Sequence, residues 1–206
     1  LKNNLQKKTL EKNSEFWKNF YNKQNDGKEI LITNMVNLKR YTIYECIIGL
    51  IISKISNKKP VGLINQYDFQ TEIFMKSFGI NKFYYIPEGN FFSRIKYFFK
   101  SVNMINKIKK TDELTKLTYE KVDIGKIVYN HFIRYNGIGS IDNITPKFYV
   151  FLSKALLVHD FAKAFFETKN FKEVVQSESQ FIPPTLIFQN ALNNNCNIFS
   201  RIGASN

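Results

Sequence analysis

The sequence contains few of the residues that usually carry metal or redox chemistry. Its 206 residues include two cysteines, two histidines and four arginines. Cys46 and Cys196 have no second ligand nearby, which argues against a disulfide framework and is typical of buried thiols in a reducing compartment. The G-x-S-x-G elbow of hydrolases, the Walker A motif and a G-x-G-x-x-G loop after the first predicted strand are also missing. The sequence therefore contains no recognised motif for a catalytic nucleophile or for a phosphate-binding loop.

Long apolar runs are missing too, although the chain has enough apolar residues for a core. The longest run, 47–52, is far too short to span a bilayer. The hydrophobic share of 44% and the aromatic share of 16% indicate a folded protein. The net charge of +13 favours a polyanionic or phosphorylated partner. Most of that charge is lysine, however, and the scarcity of arginine weighs against nucleic acid, which proteins read by bidentate arginine contacts.

Apolar runs of strand length alternate with helical periodicity along the first 90 residues. Strands are predicted at 30–36, 60–66 and 82–88, and helices over 41–56 and 68–77. This alternation is typical of βαβ units in a parallel sheet. The inner face of the first helix is expected to carry Ile43, Ile47, Leu50, Ile51 and Ile55.

The rest of the chain continues this α/β pattern. Further elements are predicted as helices over 91–110, 146–168 and 183–193, and as strands at 171–179 and 196–203. We therefore expect an α/β, Rossmann-like three-layer domain with a mostly parallel sheet, flanking helices and a helical insertion around 90–140. This domain would cover 29–206, after an N-terminal helical appendage at 1–28. Both ends look cut, so the chain is expected to be a piece of a longer two-domain protein.

The segment 91–110 predicts a basic amphipathic helix with two possible roles. Its apolar stripe is expected to contain Phe91, Ile95, Phe98, Val102, Ile105 and Ile108. The favoured interpretation is a helix packed on the sheet, with its lysines in solvent. The other is a helix at a membrane surface or against another subunit.

The histidines do not predict a metal centre. His131 and His159 lie outside any H-x-x-x-H spacing and away from cysteine. Both fall on apolar helical faces, which favours core histidines. We expect no metal site.

The segment 122–140 has the most distinctive pattern in the chain. Asp123 is placed to cap a helix, and Gly125 in the first turn would leave backbone N–H groups open to a polar ligand. Lys126 and Arg134 lie on the polar face of this helix. The alternative is an ordinary amphipathic helix with a solvated polar face.

Polar residues also follow the predicted strands, where ligands bind in open parallel sheets. They are Asn34, Asn65, Gln66, Ser177, Glu178, Ser179 and, after the last strand, Arg201. Glu178 is the one carboxylate at such a place in the second half. It could act as a general base for a sugar hydroxyl or bind hydroxyls, or it could be a solvated loop residue.

The pattern DIG-x3-Y-x4-R, formed by Asp123, Ile124, Gly125, Tyr129 and Arg134, resembles a signature of bacterial capsular and surface-polysaccharide biosynthesis proteins of the glycosyltransferase type. The segment 173–203 is similar to a second part of the same proteins, so the resemblance covers about 120–203. One departure is Asn130, where an acidic residue is common, which puts a catalytic role there in doubt.

The resemblance implies the N-terminal, acceptor-side half of a GT-B-like transferase that builds capsule or surface polysaccharide in the bacterial cytoplasm. The acceptor would be a saccharide or a lipid-linked saccharide, with contact at the inner face of the membrane. No cofactor is expected in this chain, because the nucleotide-sugar donor would bind a C-terminal domain that is missing here, and the fragment alone should be inactive. We expect Glu178 to be catalytic and the substrate to be bound by Asp123, Gly125, Lys126, Tyr129, Arg134, Ser177 and Arg201.

The alternative hypothesis is a non-enzymatic basic module that binds RNA or an anionic membrane. Its support is the charge of +13 and the aromatic residues interleaved with lysines at 91–110. Such a module should bind any polyanion and lose affinity steeply as salt rises. A transferase domain should instead discriminate among sugars at constant salt.

Overall fold

A computed structural model describes residues 2–20, 28–36 and 39–200. Its helices are α1 (Lys2–Phe20), α2 (Lys39–Ser56), α3 (Phe69–Lys76), α4 (Phe91–Ile105), α5 (Ile124–Asn136), α6 (Pro146–Lys169) and α7 (Pro184–Asn193), with a 3₁₀ helix at Thr111–Lys116. Its strands are β1 (Glu29–Asn34), β2 (Lys59–Asn65), β3 (Phe83–Ile86), β4 (Glu173–Val175) and β5 (Asn197–Phe199).

The five strands form one parallel sheet in the order β3-β2-β1-β4-β5. Ile32 of the central strand β1 is in register with Gly62 of β2 on one side and with Val175 of β4 on the other. Parallel strands need crossover connections, and α2 and α3 provide them for the first three strands. The predicted α/β class with a Rossmann-like parallel sheet is confirmed.

The core of the sheet explains why β1 reads as an unbroken apolar run. Ile30, Leu31 and Ile32 are all fully buried, as expected for a central parallel strand that is covered on both faces. Trp17 of α1 packs in the same core, against Phe78. Helix α1 therefore contributes Trp17 to the core of the first unit.

The phase of α2 differs from the prediction. Its buried residues are Thr42, Glu45, Cys46, Gly49, Leu50 and Ser53. Ile43, Ile51 and Ile55, which were expected on the inner face, are exposed, so that part of the prediction is wrong. The reason is the contact between Gly49 and Ile32, because a Cβ atom on Gly49 would lie 2.4 Å from Cδ1 of Ile32. The glycine brings the helix backbone close to β1 and fixes its rotation.

The chain divides into two compact units. The first contains α1 to β3, β4 and β5, and therefore the whole sheet. The second comprises residues 87–168 and 179–190 and is helical, so it extends well beyond the helical insertion predicted around 90–140. None of the helices described here has the length and apolar character to cross a bilayer.

Helix α4, in the second unit, is shorter than predicted and buries a different face. It ends at Ile105, whereas the lysines at 107, 109 and 110 follow it outside the helix. Its buried residues are Tyr97, Ser101 and Ile105. Three of the six residues of the predicted apolar stripe, Phe91, Ile95 and Phe98, are exposed instead, so the favoured interpretation of a packed stripe is wrong for that part of the helix.

Candidate functional site

The chain order of the strands reverses at β1. From β1 the chain continues to β2 and β3 on one side, and much later to β4 and β5 on the other. Ligands of open parallel sheets bind at such a switch point, beyond the carboxyl ends of the strands. β1 ends at Asn34, and β4 is followed by Gln176, Ser177 and Glu178. Two of the predicted site residues, Ser177 and Glu178, thus lie at the switch point of the first unit.

A buried carboxyl group joins these two strand ends. Glu45, on α2, is 3% exposed. Its Oε2 atom accepts a hydrogen bond from Nδ2 of Asn34 at 2.7 Å, and its Oε1 atom accepts one from the backbone N–H of Ser177 at 3.0 Å. Nδ2 of Asn34 also donates to the Thr42 hydroxyl at 3.0 Å. One side chain from α2 therefore fixes the polar groups that follow β1 and β4.

Glu45 is uncharged at neutral pH. Burial raises the pKa of this carboxyl group from 4.5 to about 8, although the hydrogen bonds from Ser177 and Asn34 act in the opposite direction. The nearby charge of Glu178 raises the pKa a little further. A neutral carboxyl group can both donate and accept a hydrogen bond, whereas a carboxylate can only accept.

The other polar groups here are also held in place. Gln176 is buried, and its Nε2 atom donates to the carbonyl oxygen of Glu178 at 2.6 Å. Asn65, after β2, donates from Nδ2 to the carbonyl oxygen of Met35 at 3.0 Å. Among the residues that the structure describes, Oδ1 of Asn34 is buried and accepts no hydrogen bond. The switch point is therefore rich in oriented amide, hydroxyl and carboxyl groups, which is a composition suited to polyhydroxylated ligands.

The predicted residues of α5 belong to the second unit. Asp123 stands at the N-cap position, as expected, but its side chain makes no capping hydrogen bond. Lys126 is exposed and Tyr129 is half-buried. Arg134 is exposed, and its Nη1 atom donates to Oε1 of Gln180 at 2.6 Å. The cationic side chains of α5 are thus in solvent, where an anionic group could reach them.

Gly125 has a structural role that was not anticipated. Its backbone N–H donates to the carbonyl oxygen of Leu117 at 2.9 Å. The N–H group is therefore not open to a ligand, and that part of the prediction is wrong. A Cβ atom at this position would lie 1.9 Å from the carbonyl oxygen of Leu114. Glycine is required here because α5 and the 3₁₀ helix approach each other backbone to backbone.

A second polar cluster in the second unit brings three possible metal ligands together. Donor atoms of Glu120, His159 and Asp160 lie within 4.8 Å of one another. The amide Nδ2 of Asn190 lies 3.3 Å from Nδ1 of His159, and it can only donate. The ring proton of His159 then lies on Nε2, the atom that would otherwise bind a metal ion. In addition, Lys163 pairs with the carboxylate of Glu120 at 2.8 Å.

The cluster is better explained as a hydrogen-bonded network. The hydroxyls of Tyr97 and Tyr119 donate to Oδ2 of Asp160 at 2.7 and 3.2 Å. His159 is buried, as predicted, and burial lowers its pKa. His131 is half-buried, and its Nδ1 atom accepts the backbone N–H of Ile182 at 3.1 Å.

Sequence reasoning missed Glu45 and Thr42. Both lie on the face of α2 that meets the strand ends, but the isoleucines of α2 cover the other half of the helix and indicate the wrong phase. The available signal was a lone acidic residue within an otherwise apolar helix. Arg201 lies outside the described residues.

Comparisons of the chain with protein-family models, with curated proteins and with solved structures found no match.

Proposed function

We propose that this chain is the acceptor-side domain of a glycosyltransferase that builds surface polysaccharide, and that a saccharide binds at the switch point of its sheet. The observation that carries the proposal is the constellation of Glu45, Asn34 and Ser177, where a neutral carboxyl group orients an amide and a backbone segment. The resemblance of 120–203 to surface-polysaccharide proteins supports the same conclusion.

The chemistry of the switch point favours hydroxyl groups over phosphate. A phosphate would require cations or several free backbone N–H groups, and Ser177 already donates its N–H to Glu45. A sugar hydroxyl needs a donor and an acceptor at once, and the half-buried hydroxyl of Ser177 and carboxyl of Glu178 are groups of these kinds. Glu45 is a positioning residue in this scheme, because it is buried behind Asn34 and Ser177. Glu178, half-buried after β4, is the group that would bind or deprotonate the acceptor hydroxyl.

We infer separately that the exposed cations of α5, in the second unit, bind an anionic sugar or phosphate. The guanidinium of Arg134 matches the planar geometry of a carboxylate or phosphate, and Lys126 adds a second exposed charge on the same helix. Tyr129 would stack on or hydrogen-bond a sugar ring. In the arrangement that the resemblance implies, a second domain binds the nucleotide-sugar donor, and the enzyme acts in the cytoplasm on a saccharide or lipid-linked saccharide.

Saturation-transfer difference NMR with glucose and glucuronic acid, with inorganic phosphate as a competitor, tests this proposal at constant salt. We expect transfer to the two sugars and a loss of that transfer in Asn34→Ala, because the variant removes the buried amide that holds Glu45 and, through it, the segment at Ser177. Arg134→Ala should lower the affinity for glucuronic acid about tenfold and leave the affinity for glucose unchanged. Arg94→Ala, which removes another exposed arginine of the second unit, is the matched control.

Two results would overturn the proposal. One is the absence of transfer to either sugar, and the other is equal transfer in the wild-type protein and Asn34→Ala. The alternative of a basic module gives a different pattern, since phosphate would then compete with every ligand and binding would fall steeply with salt.

A further inference from the structure

Helix α4 exposes a continuous apolar surface, which we call the α4 aromatic face. It consists of Phe91, Phe92, Ile95, Phe98 and Phe99, of which Phe91 is 70% and Phe92 is 79% exposed. With 3.6 residues per turn, these five side chains span an arc of about 120°. They lie opposite the buried residues Tyr97 and Ser101. A soluble protein has no folding reason to place four phenylalanines on one solvent-facing arc.

The same surface continues onto α6 as an open groove of about 780 Å³. Val150 and Leu157 contribute apolar side chains to its other wall, and Lys154 contributes a cation. The groove belongs entirely to the second unit. The apolar surface is therefore broad rather than a single ridge.

Cations flank this surface on both sides. On the helical wheel of α4, Arg94 falls on one side of the aromatic arc and Lys96 falls on the other. α4 contains no acidic residue, and Glu88, which pairs with Arg94 at 3.5 Å, is the one carboxylate along the groove. Long cationic side chains beside an apolar strip can extend to lipid headgroups while the aromatic rings enter the acyl region.

We propose that the α4 aromatic face docks on an anionic phospholipid bilayer. Charge complementarity selects this partner, because lysine is depleted in the cores of protein interfaces but is typical of helices that lie on anionic membranes. The helix lies in the plane of the interface, with its phenylalanines inserted among the acyl chains. Docking does not depend on saccharide binding at the switch point, so each proposal can fail without the other.

Co-sedimentation of the whole chain with phosphatidylcholine vesicles, with and without one quarter phosphatidylglycerol, tests the proposal. We expect binding to the anionic vesicles and at least about a tenfold loss of partitioning in the double variant Phe91→Ser, Phe92→Ser. The matched control is Tyr67→Ser, Phe69→Ser, because these residues of the first unit are each 64% exposed and lie outside the face. The control should bind like the wild-type protein.

A second pair of variants tests the cations at equal net charge. Lys96→Gln, Lys154→Gln should lose the preference for phosphatidylglycerol, whereas Lys8→Gln, Lys12→Gln, on α1, should keep it. The proposal is overturned if the wild-type protein does not pellet with anionic vesicles, or if the Phe91→Ser, Phe92→Ser variant binds as well as the Tyr67→Ser, Phe69→Ser control. It is also overturned if light scattering shows a dimer that the substitutions at Phe91 and Phe92 dissociate, since the face would then cover a second copy.

Discussion

Replacing Glu45 with glutamine should make the protein progressively more stable relative to the wild-type protein as pH rises. Glutamine has the shape of the neutral carboxyl group and cannot ionise. The folded pKa of Glu45 is about 8, against 4.5 for the ordinary group. Between these values the unfolded chain releases the proton and the folded chain retains it. The free energy of unfolding of the wild-type protein therefore falls as pH rises through this range.

The magnitude follows from the difference between the two pKa values. A difference of about 3.5 corresponds to about 5 kcal/mol, with about 3 kcal/mol already lost at pH 7. The difference in free energy of unfolding between Glu45→Gln and the wild-type protein should thus shift in favour of the variant by about 3 kcal/mol from pH 4 to pH 7 and by about 5 kcal/mol from pH 4 to pH 9, on top of a constant loss of one hydrogen bond. Because other titrating groups are shared by both proteins, the difference isolates Glu45.

Urea denaturation from pH 4 to 9, followed by tryptophan fluorescence, measures this difference. Trp17 is the only tryptophan and packs in the core of the first unit, which contains Glu45. A difference that stays constant with pH, or that favours the wild-type protein as pH rises, would show that Glu45 is ionised in the fold. Glu72→Gln is the control with the opposite sign, because the hydrogen bond from Lys76 lowers the pKa of Glu72. The free energy of unfolding of Glu72→Gln should lie below that of the wild-type protein, and this difference should shrink as pH falls.

Two further substitutions test the second unit by thermal unfolding. Gly125→Ala should lower the free energy of unfolding by about 1–3 kcal/mol, because its Cβ atom would meet the carbonyl oxygen of Leu114. Gly139→Ala has open space around it and should be neutral, so equal effects would refute the packing explanation. Tyr97→Phe should cost about 1–3 kcal/mol by removing the hydrogen bond to Asp160. An unchanged melting temperature would show that this network does not stabilise the fold.

The sequence was most informative where burial is uniform. The apolar run at 30–32 has a single interpretation as a central strand, and the residues after each strand are then placed by the rule for parallel sheets. Ser177 and Glu178 could be located in this way. Glu45 could not, because its position depends on the rotation of α2, and that rotation is set by a contact between Gly49 and Ile32 that no local pattern shows.

The start of α5 shows the same limit. The helix start at Asp123 follows from local chemistry, and the structure begins α5 at the next residue. Gly125 is needed for close packing against the 3₁₀ helix at 111–116, and that helix has too few residues to give a periodic signal in the sequence. Local rules therefore identified the segment correctly and misassigned the function of its glycine.

The central position of β1 has a consequence for synthesis on the ribosome. One edge of β1 pairs with β2 soon after it emerges, but the other waits for β4, whose Val175 follows Thr33 by 142 residues. At about 5–20 residues per second, roughly 7 to 28 s pass before that partner is made. During this time a strand with an apolar centre, Ile30 to Ile32, presents unsatisfied backbone groups, which is a template for aggregation. The nascent chain is therefore expected to depend on chaperones, and stalling before residue 173 should yield insoluble product.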